Sequence, residues 1–251
     1  MEPIYEREFA VNAGDTDRHG RLKPSRILSF LQEVAGDHSA LLGTDRDSLM
    51  TRNLFWAVIR HRVQITRLPR SGETITVQTW PMPTTRTAYP RSSVAYDAEG
   101  RECFRGISLW VLMDAESRAM VLPGKSGVTV DGILTGSELA TPGSMALQRS
   151  GRQTVRRVRY SDLDVNGHMN NCRYMDWVSD LLPGAFHGEH SISEFTINYL
   201  SEARENEELT LCFQLTDGPC LGVDALREGD GVSVSHARVF SARVLFDSSV
   251  M

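Results

Sequence analysis

The sequence predicts an α+β protein built from two tandem copies of one unit, each a strand, a loop, a long helix and a run of antiparallel strands. Three observations predict it. Residues 15–28 (DTDRHGRLKPSRIL) and 162–175 (DLDVNGHMNNCRYM) align without a gap and match at Asp15/Asp162, Asp17/Asp164, Gly20/Gly167 and Arg26/Arg173, with Leu22 and Met169 similar. Segments of the same character then follow each motif in the same order. Between the copies, residues 122–150 are rich in Gly, Ser, Thr and Pro with weak periodicity, the composition of a connector.

The first copy opens on the alternating run EREFAVNA, which reads as a strand. Pro24 sits where a first helical turn accepts it, and Ile27, Leu28, Leu31, Val34 and Ala35 recur at helical spacing. FWAVIRHRVQITRLPRSGETITVQTW reads as strand, polar turn, strand. In SSVAYDAEGRECFRGISLWVLMD two alternating runs flank an EG turn, the pattern of a hairpin. The second copy repeats the series. QTVRRVRY is its opening strand, and Tyr174, Met175, Trp177, Val178 and Leu181 mark its helix. SEFTINYLSEARENEELTLCFQL and LGVDALREGDGVSVSHARVFSARVLF supply its strands, the latter around an EG or DG turn. A long helix wrapped by a curved antiparallel sheet is the hotdog arrangement. The expectation is therefore a tandem double hotdog, with units at 1–121 and 151–251 and the connector at 122–150.

Composition narrows the function classes. Of 251 residues, 41% are hydrophobic and 24% charged, which places the chain among ordinary globular proteins. No apolar run reaches the length of a membrane span, and MEPIYEREF resembles neither a secretory signal nor a transit peptide, so the cytoplasm is the expected compartment and no membrane partner is expected. Cys103, Cys172, Cys212 and Cys220 are widely spaced with no CxxC pair, which favours reduced thiols over disulfides or zinc. A net charge of −5 argues against nucleic acid. Arginines nevertheless cluster at Arg60, Arg62, Arg67, Arg70, Arg86 and Arg91, and again at Arg152, Arg156, Arg157 and Arg159. Such clusters permit docking of an acidic protein or a phosphate-bearing ligand, and solvated strand edges are the plain alternative.

The copies differ where chemistry is concerned. Asn166 and His168 stand where the first copy has His19 and Arg21, and Glu202 falls opposite a position near Leu68. Asp17 and Asp164 are shared. Acid, imidazole and amide groups thus occur together once per chain. Thioester hydrolysis needs an activated water and stabilisation of the oxyanion, and the thiolate leaves readily. A glutamate or histidine serves as base, and an asparagine amide positions water or carbonyl. Backbone N–H groups at the start of the helix after Gly167 are candidate oxyanion donors. Asp164 is expected to hold the loop, as Asp17 does in the other copy. Taken singly, each residue is ordinary, since D-x-N-G is a common loop and a histidine near a helix start is usually a cap. Cys172, inside the helix, is expected to pack rather than react. Trp56, Trp80, Trp110, Trp177, Met82, Met113 and Met175 are core candidates, some of which would line an acyl channel.

YSDLDVNGHMNNCRYMDWV resembles the signature segment of the acyl-ACP thioesterases of plants and bacteria, roughly D-x-D-x-N-x-H-x-N-N-x-x-Y. The opening D-x-D-x-x-G with its helix, and RLPRSGETITVQTW, resemble that family's N-terminal half. The resemblance implies catalytic Asp164, Asn166 and His168, a downstream acid at Glu202, no metal or organic cofactor, and release of free fatty acid from a phosphopantetheine-linked chain on acyl carrier protein. It also implies that the first unit accommodates the acyl chain without catalysing, and it leaves room for a homodimer. Plant members commonly carry a cysteine after that acid. Ala203 stands there instead, which favours water activated by Glu202, with Asn166 and His168 orienting it and the thioester. The plastid leader of plant members has no counterpart in MEPIYEREF, which points to a bacterial cytoplasmic protein. Open alternatives are an acyl-CoA thioesterase of the same fold, a non-catalytic acyl-binding module and, third, a dehydratase. Leu31, Val34 and Trp56 are candidates for setting chain length.

Overall fold

The computed structural model describes residues 3–147, 151–227 and 238–248. The chain divides into two compact units, Met1–Pro142 and Gly143–Met251. In the first, β1 (Tyr5–Ala10) leads through a 3-10 turn to helix α1 (Pro24–Leu41) and the short α2 (Arg46–Met50). Strands β2 (Leu54–Ile65), β3 (Thr74–Pro81), β4 (Tyr89–Asp97) and β5 (Glu102–Asp114) follow, then the two-residue β6 (Met120–Val121) and α3 (Pro123–Ser126). The sheet runs β1-β3-β4-β5-β2, antiparallel throughout, with β6 paired to β5.

Helix α1 begins on Pro24, whose missing N–H is no loss in a first turn. Its buried face carries Ile27, Leu28, Phe30, Leu31, Val34 and Ala35, and the sheet contributes fully buried Ile75, Val77, Phe104 and Ile107. Gly106 lets helix and sheet approach, since a Cβ there would lie 3.0 Å from Leu31 Cδ1. The β4–β5 hairpin closes as the EG turn predicts. The Asp97 carboxylate accepts from the backbone N–H groups of Glu99 and Arg101, and Gly100 takes φ +77°.

In the second unit β7 (Arg152–Arg157) precedes helices α4 (Arg173–Ser179) and α5 (Gly184–Glu189), and then strands β8 (His190–Tyr199), β9 (Glu208–Thr216), β10 (Cys220–Arg227) and β11 (Arg238–Ser248). The sheet order is β8-β11-β10-β9-β7, strand for strand the order of the first unit. The EG/DG turn between β10 and β11 lies outside the described residues. Tyr174, Met175, Trp177 and Val178 are buried as predicted, but the expected long helix is two short ones. Pro183 lacks an N–H to continue the ladder and disfavours helical geometry at Leu182, so α4 stops at Ser179.

The stretch read as a connector packs down. Residues 122–142 cluster with the first unit: Ile133 N–H donates to Pro81 O (3.0 Å), Trp80 Nε1–H to Glu138 (3.1 Å) and Arg105 to Ser137 O (2.7 Å). In the second unit, Gly143 O accepts from Asn198 and Met145 O from Arg238. Polar side chains on the strands thus capture backbone carbonyls in a segment whose own pattern shows no element. Among the described residues no helix is long and apolar enough to cross a membrane.

Candidate active site

The internal repeat is reproduced hydrogen bond by hydrogen bond. In the first unit Asp17 N–H donates to Arg21 O, Gly20 N–H to Asp17 O, Leu22 N–H to Pro69 O and Lys23 N–H to Asp15 O. In the second, Asp164 N–H donates to His168 O, Gly167 N–H to Asp164 O, Met169 N–H to Ala203 O and Asn170 N–H to Asp162 O. Gly20 and Gly167 both sit in the left-handed region, at φ +71° and +75°, where a side chain would be strained. Isolated β-bridges pair Arg21 with Arg70 and His168 with Arg204. With Pro69 matched to Ala203 and Arg70 to Arg204, Glu202 falls on Leu68.

On this common frame the side chains diverge. In the first copy the Asp17 carboxylate accepts from the His19 and Arg21 backbone N–H groups (2.8 and 3.0 Å) and from the Arg21 guanidinium (3.1 and 3.2 Å). In the second, Asp164 accepts from Asn166 N–H at 2.8 Å and from its amide at 3.4 Å. His168, released from the role Arg21 plays, turns to Glu202, with Nε2 3.1 Å from Oε2. Their side chains are 19% and 45% exposed, so the pair is held by the fold yet open to water. All four predicted residues therefore share one small loop system: Asp164 carries Asn166, its backbone ties to that of His168, and His168 meets Glu202.

Arg227 was not legible as part of this system. Reaching in from β10, it donates to Glu202 O (2.6 Å) and pairs with Glu207 (3.0 Å), fixing the turn that presents Glu202. Tyr174 and Tyr199 lie beneath; burial raises both phenols, which suits them to packing rather than proton transfer.

Two expectations fare differently. The N–H groups proposed as oxyanion donors are in use: Met169 and Asn170 serve the loop ladder, Cys172 N–H donates to Asn170 Oδ1 (2.9 Å) and Arg173 N–H to Asn170 O (2.9 Å). This Asn170-centred turn delays α4 to Arg173, so no free helix N-terminus follows Gly167 directly. Cys172 is buried at the start of α4. All four cysteines are free thiols.

Many of the clustered arginines serve the fold. Arg67 pairs with Glu73 and Asp97, Arg156 with Asp180 and Arg157 with Glu208, and Arg91 is buried. Arg86, Arg152 and Arg159 are exposed. No group of three or more His, Cys, Asp or Glu is arranged to hold a metal among the described residues.

The first unit contains a cavity of about 370 Å³ between α1 and the sheet, lined in part by Ala35, Trp56, Tyr89, Trp110 and Val130. Trp56 and Trp110 thus face a space, whereas Trp80 and Trp177 are core. Leu31 and Val34, named with Trp56 as chain-length candidates, are buried in the core and do not line it.

The model of the acyl-ACP thioesterase N-terminal domain matches residues 2–122, and that of the C-terminal domain residues 146–239. Dodecanoyl-[acyl-carrier-protein] hydrolase, chloroplastic, of Cinnamomum camphora is 28% identical over 217 residues, 79% of this chain and 56% of the relative. Palmitoyl-acyl carrier protein thioesterase, chloroplastic, of Gossypium hirsutum is 24% identical over 229 residues, 85% and 55% of the two chains. The chain spans a little over half the length of these curated relatives. The crystal structure of an acyl-ACP thioesterase from Bacteroides thetaiotaomicron superimposes with TM-score 0.87 at 24% identity, covering 98% of each chain. The 12:0-ACP thioesterase from Umbellularia californica gives 0.82 at 22%, covering 99% of each, so the hotdog fold is shared. With both halves matched in order and the loop copies folded alike, the chain belongs to the acyl-ACP thioesterase family.

Proposed function

We propose that the chain hydrolyses the thioester of an acyl-[acyl carrier protein], releasing a free fatty acid, by water activation without a metal. The observation that carries this reading is the His168–Glu202 contact at 3.1 Å, built where the first copy has Arg21 and Leu68. Glu202 takes a proton from water while His168 and Asn166 orient the water and the thioester. The resulting hydroxide adds to the carbonyl carbon, the C–S bond breaks, and the proton held on Glu202 passes to the departing sulfur. Asp164 acts through Asn166, as a positioning residue.

The first unit lacks this pair and contains the cavity, whose volume is in the range of small-molecule sites; it houses the acyl chain in this reading. Family membership and the acyl-carrier-protein substrates named for the relatives support carrier protein as the donor. Hydrolysis of matched acyl-ACP and acyl-CoA tests it. The expected result is a clearly higher kcat/KM for acyl-ACP, and a clear preference for CoA would replace the donor assigned here.

A further inference from the structure

Arg91 belongs to the arginine cluster of the first unit, and the proposed hydrolysis makes no use of it. It lies on β4, 7% exposed, and lines the cavity of the first unit. Its Nη1 donates to His38 Nδ1 at 3.1 Å and to Thr79 Oγ1 at 3.4 Å, both neutral acceptors. A guanidinium has five N–H donors, so Nε and Nη2 remain without a hydrogen-bond acceptor among the described residues. Neighbouring arginines of the same unit are treated differently. Arg67 has Glu73 and Asp97, Arg101 has Asp97, and Arg105 has Glu102. No carboxylate lies within ion-pair distance of Arg91 among the described residues. Burial pushes its guanidinium down to about 10, which leaves it charged at neutral pH.

A second donor faces the same fate. Gln32, on α1, lines the same cavity, and its Nε2 is buried with no hydrogen-bond partner among the described residues. The remaining wall is mostly apolar, with Trp56, Pro81 and Val130, and it also carries Asp45, Arg46 and Trp110, whose indole N–H is likewise buried with no hydrogen-bond partner among the described residues. A plain hydrocarbon chain filling this space would strip water from both donors and offer nothing in return, the costliest arrangement for a buried cation. An oxygen on the chain would accept charge-assisted bonds.

We propose that this cavity selects acyl chains bearing an oxygen acceptor, a hydroxyl or a carboxylate, which Arg91 and Gln32 hold. The inference rests on the reading of the first unit as the acyl-chain site. Discrimination by buried donors is steep, because the analogue without the oxygen leaves them unpaired.

The test is binding to the intact chain, followed by tryptophan fluorescence from Trp56 and Trp110, of non-hydrolysable amide analogues of acylpantetheine. Chains of equal carbon number carry a terminal methyl, a hydroxyl at successive distal carbons, or a terminal carboxylate. At least one oxygenated analogue should bind about tenfold or more tighter than the methyl-ended chain. The hydroxyl and carboxylate arms identify which source is used. In Arg91→Met that ratio should fall toward one while the plain chain binds at least as well. Gln32→Leu, on the helix face, should lower the ratio severalfold and stands as the test if Arg91→Met does not fold. The proposal is overturned if no oxygenated chain outbinds the plain one, or if the preference survives substitution. Because binding needs no turnover, its failure leaves the hydrolase reading standing, and loss of hydrolysis leaves this one measurable.

Discussion

Arg21 and His168 occupy the same place in two copies of one loop, and the difference between them is the difference between a scaffold and a candidate active site. Arg21 folds back on Asp17, whereas His168 reaches Glu202. Asp17→Ala and Asp164→Ala should therefore separate structure from function. Each removes carboxylate acceptors from a loop and should cost about 1–3 kcal/mol of stability in thermal or urea unfolding. Only Asp164→Ala should also slow turnover, by about 10- to 100-fold, through displacement of Asn166. Equal effects of the two on turnover would remove Asp164 from the site.

Elsewhere, His61 is fully buried on β2 with Nδ1 2.8 Å from Ser108 Oγ, and burial pushes its pKa down to about 3. The folded state thus binds its proton less readily than the unfolded state, with an ordinary value of 6.5. Its contribution to stability is complete above pH 6.5 and is lost as pH falls toward 3. Unfolding midpoints measured across that window should fall, and His61→Gln should flatten the slope; an unchanged slope would contradict the assignment.

Asn166 and His168 were legible because the motif is contiguous. Glu202, outside that motif, was legible through the register of the repeat and the family resemblance. Arg227 was not, since it arrives from a distant strand with no motif of its own.

At the scale of elements, apolar spacing located α1 and every described strand of both sheets except the two-residue β6, which is too short to carry a pattern. It did not anticipate the break between α4 and α5. The helical pattern of Tyr174–Leu181 runs up to Pro183, and the backbone rule at proline overrides the pattern. Nor did weak periodicity reveal that 122–142 packs on the first unit, where the segment is held both by strand side chains and by its own Ser126, Val128 and Glu138. Gly132 shows how closely: a Cβ there would overlap the Met82 carbonyl and the backbone nitrogen of Pro83. Backbone cannot swing aside as a side chain can. Gly132→Ala should cost about 1–3 kcal/mol in unfolding by urea and dislodge the segment carrying Val130 from the cavity wall. Unchanged stability would mean that this packing is not maintained in solution.

For the whole molecule, two diverged copies of one unit are the organising feature. Two units share strand order, loop ladder and left-handed glycines, and they differ in what the loop presents and in what the sheet encloses. One holds a cavity, the other an acid–imidazole pair. Tandem copies and the place of the candidate site in the second copy were legible because the repeat is written in the sequence. The cavity was not, because space is left by residues far apart in the chain. The most direct measurement of the central claim is acyl-ACP hydrolysis by Glu202→Gln and His168→Ala, with circular dichroism confirming the fold. Each should lose about 10²- to 10⁴-fold in kcat. Rates within a few-fold of the parent in both variants would show that the pair does not carry the chemistry.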